Sequence, residues 1–339
     1  MITNLARLLL IFALATTVRG WWQLEGVAPS GLSGLECSRI PGLTGRQREM
    51  CIQHGQPMAA LVHGVEEAFS ECERTFTGEI FNCTAAARQS TGTPNKVASR
   101  ESAYIYALAA ASASHAIAKA CGKGALEECG CGALPQGTSR DFLWSGCSDN
   151  VKYGNTFGRK FMDQEARRNG DPRFLMDVHN NRVGRRLLAS SMDRTCKCHG
   201  VSGSCVTKTC WKVVPKMSTF AERLKKKMDH ALQVKAAGGV AEGVQLRAVV
   251  PTSGGRSGRY LREEEDVGRV AKSALIFLES SPDFCERPWE VAGRECGNHC
   301  GEICCGRGWK TEPCRCAFVW CCEVKCSTCM VMKSNNYCK

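Results

Sequence analysis

Twenty-four cysteines, none of them before residue 37, constrain this 339-residue chain more than any other feature. They form two equal sets, 12 from Cys37 to Cys210 and 12 from Cys285 to Cys338. Half-cystines at this density mean a disulfide framework in an oxidising compartment and metal clusters or reactive thiols elsewhere, so the compartment has to be settled first. Met1 to Arg7 carries one positive charge, Leu8 to Val18 is almost wholly apolar, and Val18-Arg19-Gly20 supplies small or modest residues for cleavage. That is the pattern of a signal peptide over residues 1–20. The apolar run is about half of the roughly 20 residues a spanning helix needs. The mature chain is therefore expected to be secreted and soluble, with its cysteines oxidised. The C-x-C spacings at 129/131, 196/198 and 314/316 lack the repeated C-x2-C pairs of zinc ribbons and fingers, and no metal is expected on them.

The two cysteine sets mark two unlike parts. Residues 21–235 carry recurrent apolar helical patterns and enough length to bury a core. Val97 to Ala120 is a run of helix formers with Ser99 as its cap and Gly122 as its stop, and its wide apolar surface predicts a buried central helix. His115 within it reads as a satisfied core histidine and not a ligand. Two further helices are expected from Asn155 and from Asp171, each opened by a capping residue. Residues 236–281 contain "AAGG", "PTSGGRSG" and the acidic run Glu263 to Asp266, which is linker composition. Residues 282–339 hold 12 cysteines and few aliphatic residues, so disulfides must replace burial there. The fold class this predicts is α+β, a helical N-terminal domain followed by a small cystine-rich β domain.

The formal net charge of +12 is concentrated at Arg167-Arg168, at Arg185-Arg186 and along Arg223-Leu224-Lys225-Lys226-Lys227. In a secreted protein such patches suit sulfated glycans or acidic membrane surfaces, unless they are simply solvated helix faces.

The most unusual local stretch is "CKCHGVSGSC", residues 196–205. With β-prone residues after Cys205, it predicts a hairpin over 196–210 in which a Cys198–Cys205 bridge nests inside Cys196–Cys210. The residue sums, 403 and 406, are unequal, so an irregular turn or a bulge is expected near Cys205 to Cys210. Ser202 sits between Gly200 and Gly203, which keep its hydroxyl open to a large partner. A hydrolase reading of Gly200-Val201-Ser202-Gly203 fails at Ser204, where a nucleophile elbow needs glycine, and His199 has no evident acid to orient it. From the residues alone Ser202 is still compatible with an ordinary turn serine.

Six segments taken together resemble the Wnt family of secreted, lipid-modified signalling glycoproteins. They are "CSRIPGLTGRQREMC" (37–51), "SRESAYIYALAAASASHAIAKAC" (99–121), "WSGCSDNVKYGNTFGRKFMD" (144–163), "CKCHGVSGSCVTKTCW" (196–211), "LESSPDFC" (278–285), and "CCGRGW" through "CRCAFVWCCEVKC" (304–326). The resemblance implies a non-enzymatic ligand without a cofactor, in which Ser202 carries a covalent monounsaturated fatty acyl chain. It implies a Porcupine acyltransferase, a Wntless carrier, Frizzled receptors, an LDL-receptor-related co-receptor and heparan sulfate proteoglycans as partners. Localisation in the extracellular space and matrix, and membrane association through the lipid, follow from the same likeness. Receptor contacts are implied at Ser202 and on a C-terminal finger at Phe318, Val319, Trp320, Cys321, Cys322 and Val324. The family's bridges carry over as Cys72–Cys83, Cys121–Cys129, Cys131–Cys147, Cys285–Cys305, Cys296–Cys300, Cys304–Cys338, Cys314–Cys329, Cys316–Cys326 and the vicinal Cys321–Cys322, leaving Cys37 with Cys51. The sequon Asn82-Cys83-Thr84 predicts glycosylation at Asn82. A cysteine-rich ligand without acylation is the alternative to this reading, with a secreted serine hydrolase the more distant one.

Overall fold

The computed structural model describes residues 34–40, 43–83, 97–135, 141–164, 171–237, 244–249, 267–286, 291–313, 316–319, 323–326 and 334–338. The expected signal peptide lies outside them. Three helices open the described chain, α1 (Gly34–Arg39), α2 (Gly45–Gln53) and α3 (Gly55–Thr75). A capping box starts α2, with Gln47 N–H donating to the Thr44 hydroxyl and Thr44 N–H donating back to Gln47 Oε1.

Helix α4 (Arg100–Gly122) is the axle of the molecule, capped by Ser99 and ending on Gly122. Nearly every residue from Ser102 to Ala118 is buried because its alanine- and serine-rich surface lets neighbours approach on all sides. Three neighbouring helices use this, each with a glycine at the contact. A Cβ on Gly64 of α3 would lie 2.5 Å from Ser112 O, and one on Gly184 would lie 2.0 Å from Ala107 O. Gly154 likewise would place a Cβ 2.3 Å from Ser114 O. Gly154 belongs to α5 (Val151–Met162) and Gly184 to α6 (Pro172–Ser190).

Helix α6 starts where Asp171 predicts, with Arg173 N–H on Asp171 Oδ1 at 3.0 Å. Helix α5 does not start at Asn155. Asn150 is its cap, accepting from Tyr153 N–H at 3.0 Å, and it is fixed by its own N–H on Ala118 O of the axle. Asn155 lies inside the helix and donates to Arg185 O. Arg185 is 4% exposed and ion-paired with Asp163, so it belongs to the interior and not to a basic surface patch.

After α6 come β2 (Asp193–Cys198) and β3 (Lys208–Val213), an antiparallel pair with β1 (Leu143–Trp144) alongside β3 in parallel. Helix α7 (Met217–Asp229) follows, packed on α3 and α4 through Phe220, Ala221 and Leu224. Its basic run is only partly free. Lys225 pairs with Glu79 and Lys227 donates to Ser273 O, which leaves Arg223 and Lys226 exposed.

The segment expected as a linker contains a sheet. Strands β4 (Leu232–Ala237), β5 (Gln245–Val249), β6 (Val267–Arg269) and β7 (Ile276–Phe277) assemble in the order β6-β5-β4-β7. Asn180 of α6 donates to Ile276 O at 2.9 Å and accepts from Ile276 N–H at 3.0 Å. Val234, Ile276, Met176 and Ala98 form a small buried cluster, and Leu275 and Phe277 enter the main core. Gly-rich composition marks only the connections of this sheet.

The C-terminal part holds α8 (Cys300–Ile303), the antiparallel pair β8 (Trp309–Pro313) with β11 (Ser334–Cys338), and the antiparallel pair β9 (Cys316–Val319) with β10 (Glu323–Cys326). Its described core is Val291, Cys296, Cys300, Ile303, Cys304 and Cys338. Cystine sulfur stands here where larger domains place leucine and phenylalanine. Arg294 ties this part to the helical body by donating to Ile80 O at 2.6 Å and Phe81 O at 3.1 Å. The Phe81 and Phe284 rings meet beside it, with centroids 5.4 Å apart. The whole is an α+β fold in which helices dominate the first part and cystines the last.

Candidate functional site

The 196–210 hairpin is built from its base outward. Gly146 leaves room for the Trp211 ring, to which a Cβ would come within 3.2 Å. Ser145 N–H and Asp149 N–H donate to Cys210 O and Lys212 O, while Asp149 Oδ2 accepts from Val214 N–H at 2.8 Å. One edge of β3 is thereby fastened to the axle through Asn150. The other edge pairs with β2 in a regular register, Cys196 opposite Cys210 and Cys198 opposite Lys208.

Cys196–Cys210 crosses that register directly, with Cα atoms 4.1 Å apart. Cys198–Cys205 runs from the last paired residue of β2 into the tip, with Cα atoms 4.7 Å apart. The irregularity that the unequal sums require is therefore all in the tip, an irregular turn and no strand bulge. His199 N–H donates to Thr207 O at 2.7 Å and Gly200 N–H to Ser204 O at 2.8 Å. Inside that ring Val201–Gly203 makes one 3-10 turn, closed by Gly203 N–H on Gly200 O and Ser204 N–H on Val201 O.

At the centre of this turn Ser202 has φ 56° and ψ 26°, the left-handed region that a residue with a side chain avoids. The sequence points to the flanking glycines as the residues of special conformation, and Gly203 is one, at φ +79°. That the serine itself is left-handed has no signal in the sequence. It accompanies the tight closure of the tip by these four hydrogen bonds and the short cystine ring. The Ser202 side chain is exposed, and among the described residues no hydrogen bond holds it. Val201 and Val206, on either side of it in sequence, are 91% and 87% exposed, so apolar side chains stand in the open at the tip together with the hydroxyls of Ser202 and Ser204. His199 Nε2 lies 2.7 Å from Thr209 Oγ1, an attachment down the hairpin and away from the serine. The tip displays a hydroxyl and holds no base against it, which suits an acceptor of modification better than a nucleophile.

Nine bridges are present among the described residues. Besides the two hairpin bridges they are Cys37–Cys51, Cys72–Cys83, Cys121–Cys129, Cys131–Cys147, Cys285–Cys305, Cys296–Cys300 and Cys304–Cys338. The closely grouped sulfurs of Cys296, Cys300 and Cys304 are thus consumed by cystines. The expected Cys314–Cys329 and Cys321–Cys322 pairs fall on residues outside the described set. Cys316 and Cys326 are backbone partners in the β9–β10 register, their side chains lying outside that set. The same register sets Phe318 against Val324 and Val319 against Glu323, and Trp320, Cys321 and Cys322 fall between these ends, outside the described residues. Asn82 stands one residue before bridged Cys83. Arg167 and Arg168 are also outside the described residues.

A cystine-stapled hairpin that holds out Ser202, with a second hairpin on a cystine-rich module, places the chain in the class of disulfide-framed proteins. The Wnt family model matches residues 39–339, and the chain belongs to that family of secreted signalling ligands, which are not enzymes. It is 46% identical over 354 residues to Protein mom-2 of Caenorhabditis elegans, covering 97% of this chain and 96% of the relative. Among solved structures it is similar to a chain of the human WLS complex with WNT8A, at 30% identity and a TM-score of 0.53, over 91% of this chain and 100% of that one. Among the described residues no helix is long and apolar enough to cross a membrane.

Proposed function

We propose that this chain is a lipid-bearing developmental ligand in which Ser202 is acylated with a monounsaturated chain and inserted into the cysteine-rich domain of a Frizzled receptor. The observation that carries the proposal is the Ser202 conformation. A left-handed serine, exposed and without a hydrogen bond among the described residues, stands between two exposed valines on a hairpin stapled twice. An acyltransferase of the Porcupine kind needs such an accessible hydroxyl. Burial of an acyl chain contributes about 0.8 kcal/mol per methylene, so roughly 14 methylenes supply on the order of 10 kcal/mol as an upper bound. Two valines could not approach that alone.

The second receptor surface is the C-terminal finger. The β9–β10 register favours it, because residues 320–322 connect two paired strand ends, flanked by Val319 and preceded by Phe318. Likeness to a chain of the human WLS complex with WNT8A supports export on a carrier of the Wntless kind. Exposed Arg223 and Lys226 on α7 are the part of the basic run open to heparan sulfate. The co-receptor of the LDL-receptor-related class completes the assembly at the cell surface, and glycosylation falls on Asn82.

The test is metabolic labelling with an alkyne-tagged fatty acid, followed by peptide mass spectrometry. Label on the peptide containing Ser202, absent from Ser202→Ala, is expected, together with loss of secretion and of Frizzled binding. A Ser202→Ala protein that is secreted and signals like wild type would overturn the reading in favour of a ligand without acylation.

A further inference from the structure

A cleft of about 350 Å³ opens between α3 and α4, remote in sequence from the hairpin, with Ala60, Ala116, Ala120 and Ala125 among its nine lining residues. The polar groups that line it are His63 and Glu67 of α3, His115 and Lys119 of α4, and Lys123 just beyond. His115 is 3% exposed, and its Nε2 lies 3.0 Å from Pro215 O. A carbonyl only accepts, so Nε2 carries the hydrogen and Nδ1 presents a lone pair. That Nδ1 is buried and has no hydrogen-bond partner. Facing it at 3.8 Å is Glu67 Oε2, on a half-buried carboxyl.

Two acceptors thus oppose each other across a gap too long for a hydrogen bond. A Lewis acid fits the gap, because two zinc bonds of about 2.1 Å each can span up to about 4.2 Å. Fixing one ring nitrogen on a backbone carbonyl is also how a ligating histidine is held in the required tautomer. His63 lies one helical turn before Glu67 on the same face of α3, and it is exposed. The three side chains are not a preassembled ligand cluster, and His63 would have to rotate to join the other two. Lys119 and Lys123 oppose a cation here. Both are exposed, where water screens them, and they lower affinity without filling the gap.

We propose that this cleft is a zinc-class metal site, with His115 Nδ1, the Glu67 carboxylate and His63 as protein ligands and water in the fourth position. The ion would staple α3 to α4 independently of the cystines. Reading His115 as a satisfied core histidine accounts for Nε2 and leaves Nδ1 unexplained.

The experiment uses the secreted wild-type protein in the detergent that keeps it soluble. It is incubated with zinc, freed of excess by gel filtration, and its metal content is measured by mass spectrometry. His63→Ala and Glu67→Gln serve as variants, since both positions are outside the packed core, and circular dichroism with non-reducing gels checks their fold. Close to one zinc per wild-type chain, with affinity at least roughly tenfold weaker in each folded variant, is expected. Wild type retaining no zinc would overturn the proposal, leaving a water or a shared proton between Glu67 and His115. Equal retention by the variants would overturn it as well, by locating the ion elsewhere.

Discussion

Replacing Gly200 by alanine tests whether the hairpin tip works through its closed geometry. Gly200 has ordinary extended backbone, φ −74° and ψ 168°, so alanine meets no torsional obstacle there. The obstacle is contact. A Cβ at this position would lie 1.9 Å from Ser204 Oγ and 2.5 Å from Ser204 O. The hydroxyl can rotate away at little cost. The carbonyl cannot, because Gly200 N–H holds it at 2.8 Å and Cys205, the next residue, is bridged to Cys198. Relief requires that carbonyl to retreat by about half an ångström or more, which gives up a hydrogen bond worth about 1 kcal/mol. The ring that holds Ser202 left-handed, itself against about 1–2 kcal/mol of steric preference, then opens. A shift of about 1–2 kcal/mol changes the population of the closed tip by roughly five- to thirtyfold.

On the proposed acylation of Ser202, fatty-acid labelling of Gly200→Ala, normalised to immunoprecipitated protein, should fall to a fifth of wild type or less. Non-reducing gels should show the bridges intact. The double variant Gly200→Ala/Ser204→Gly separates the two contacts, since it removes the 1.9 Å clash with the hydroxyl and keeps the one with the carbonyl. It should label as poorly as the single variant. Wild-type labelling of Gly200→Ala, or rescue by the second change, would refute the claim that backbone closure presents the serine.

Gly184→Ala puts a Cβ 2.0 Å from Ala107 O and must push α6 off the axle, at a cost of about 3 kcal/mol or more, whereas Gly45→Ala has nothing within 4 Å and should be near neutral. Thermal unfolding of the secreted proteins, or retention of Gly184→Ala inside the cell, reads the difference. Peptide N-glycosidase should shift the mobility of wild type and leave Asn82→Gln unchanged; no shift in either protein would show the sequon is skipped. Trp320→Ala should still be acylated and secreted but should bind Frizzled domains at least roughly tenfold more weakly, as loss of a buried aromatic anchor of about 2 kcal/mol requires. Intracellular retention with scrambled bridges would instead make Trp320 part of the fold of the C-terminal module.

What the sequence discloses and what it hides divide along the range of the forces involved. Ser99 and Asp171 open their helices as read, because a cap is satisfied within three residues of itself. Asn150 and Asn155 are equally good caps by composition. The choice falls on Asn150 through its bonds to Ala118 O and Gly130 O, partners 32 and 20 residues away that no local pattern contains. The same reach explains the sheet mistaken for a linker. β7 has only two residues, paired with β4 on one side, and the Asn180 amide completes the hydrogen bonds of Ile276 as a further strand would. Arg185 reads as surface charge until Asp163 is seen beside it.

The hairpin combines both cases. Its cysteines, glycines and serine are legible because covalent bridges act between residues close in sequence. The left-handed Ser202 is not, because it is the resultant of four backbone hydrogen bonds and a cystine loop of sequence separation 7 closing together. Their simultaneous closure is what turns a permissive glycine-rich stretch into a defined display of the Ser202 hydroxyl. Loss of display should therefore follow from weakening the ring anywhere along it, and not only from changing the serine.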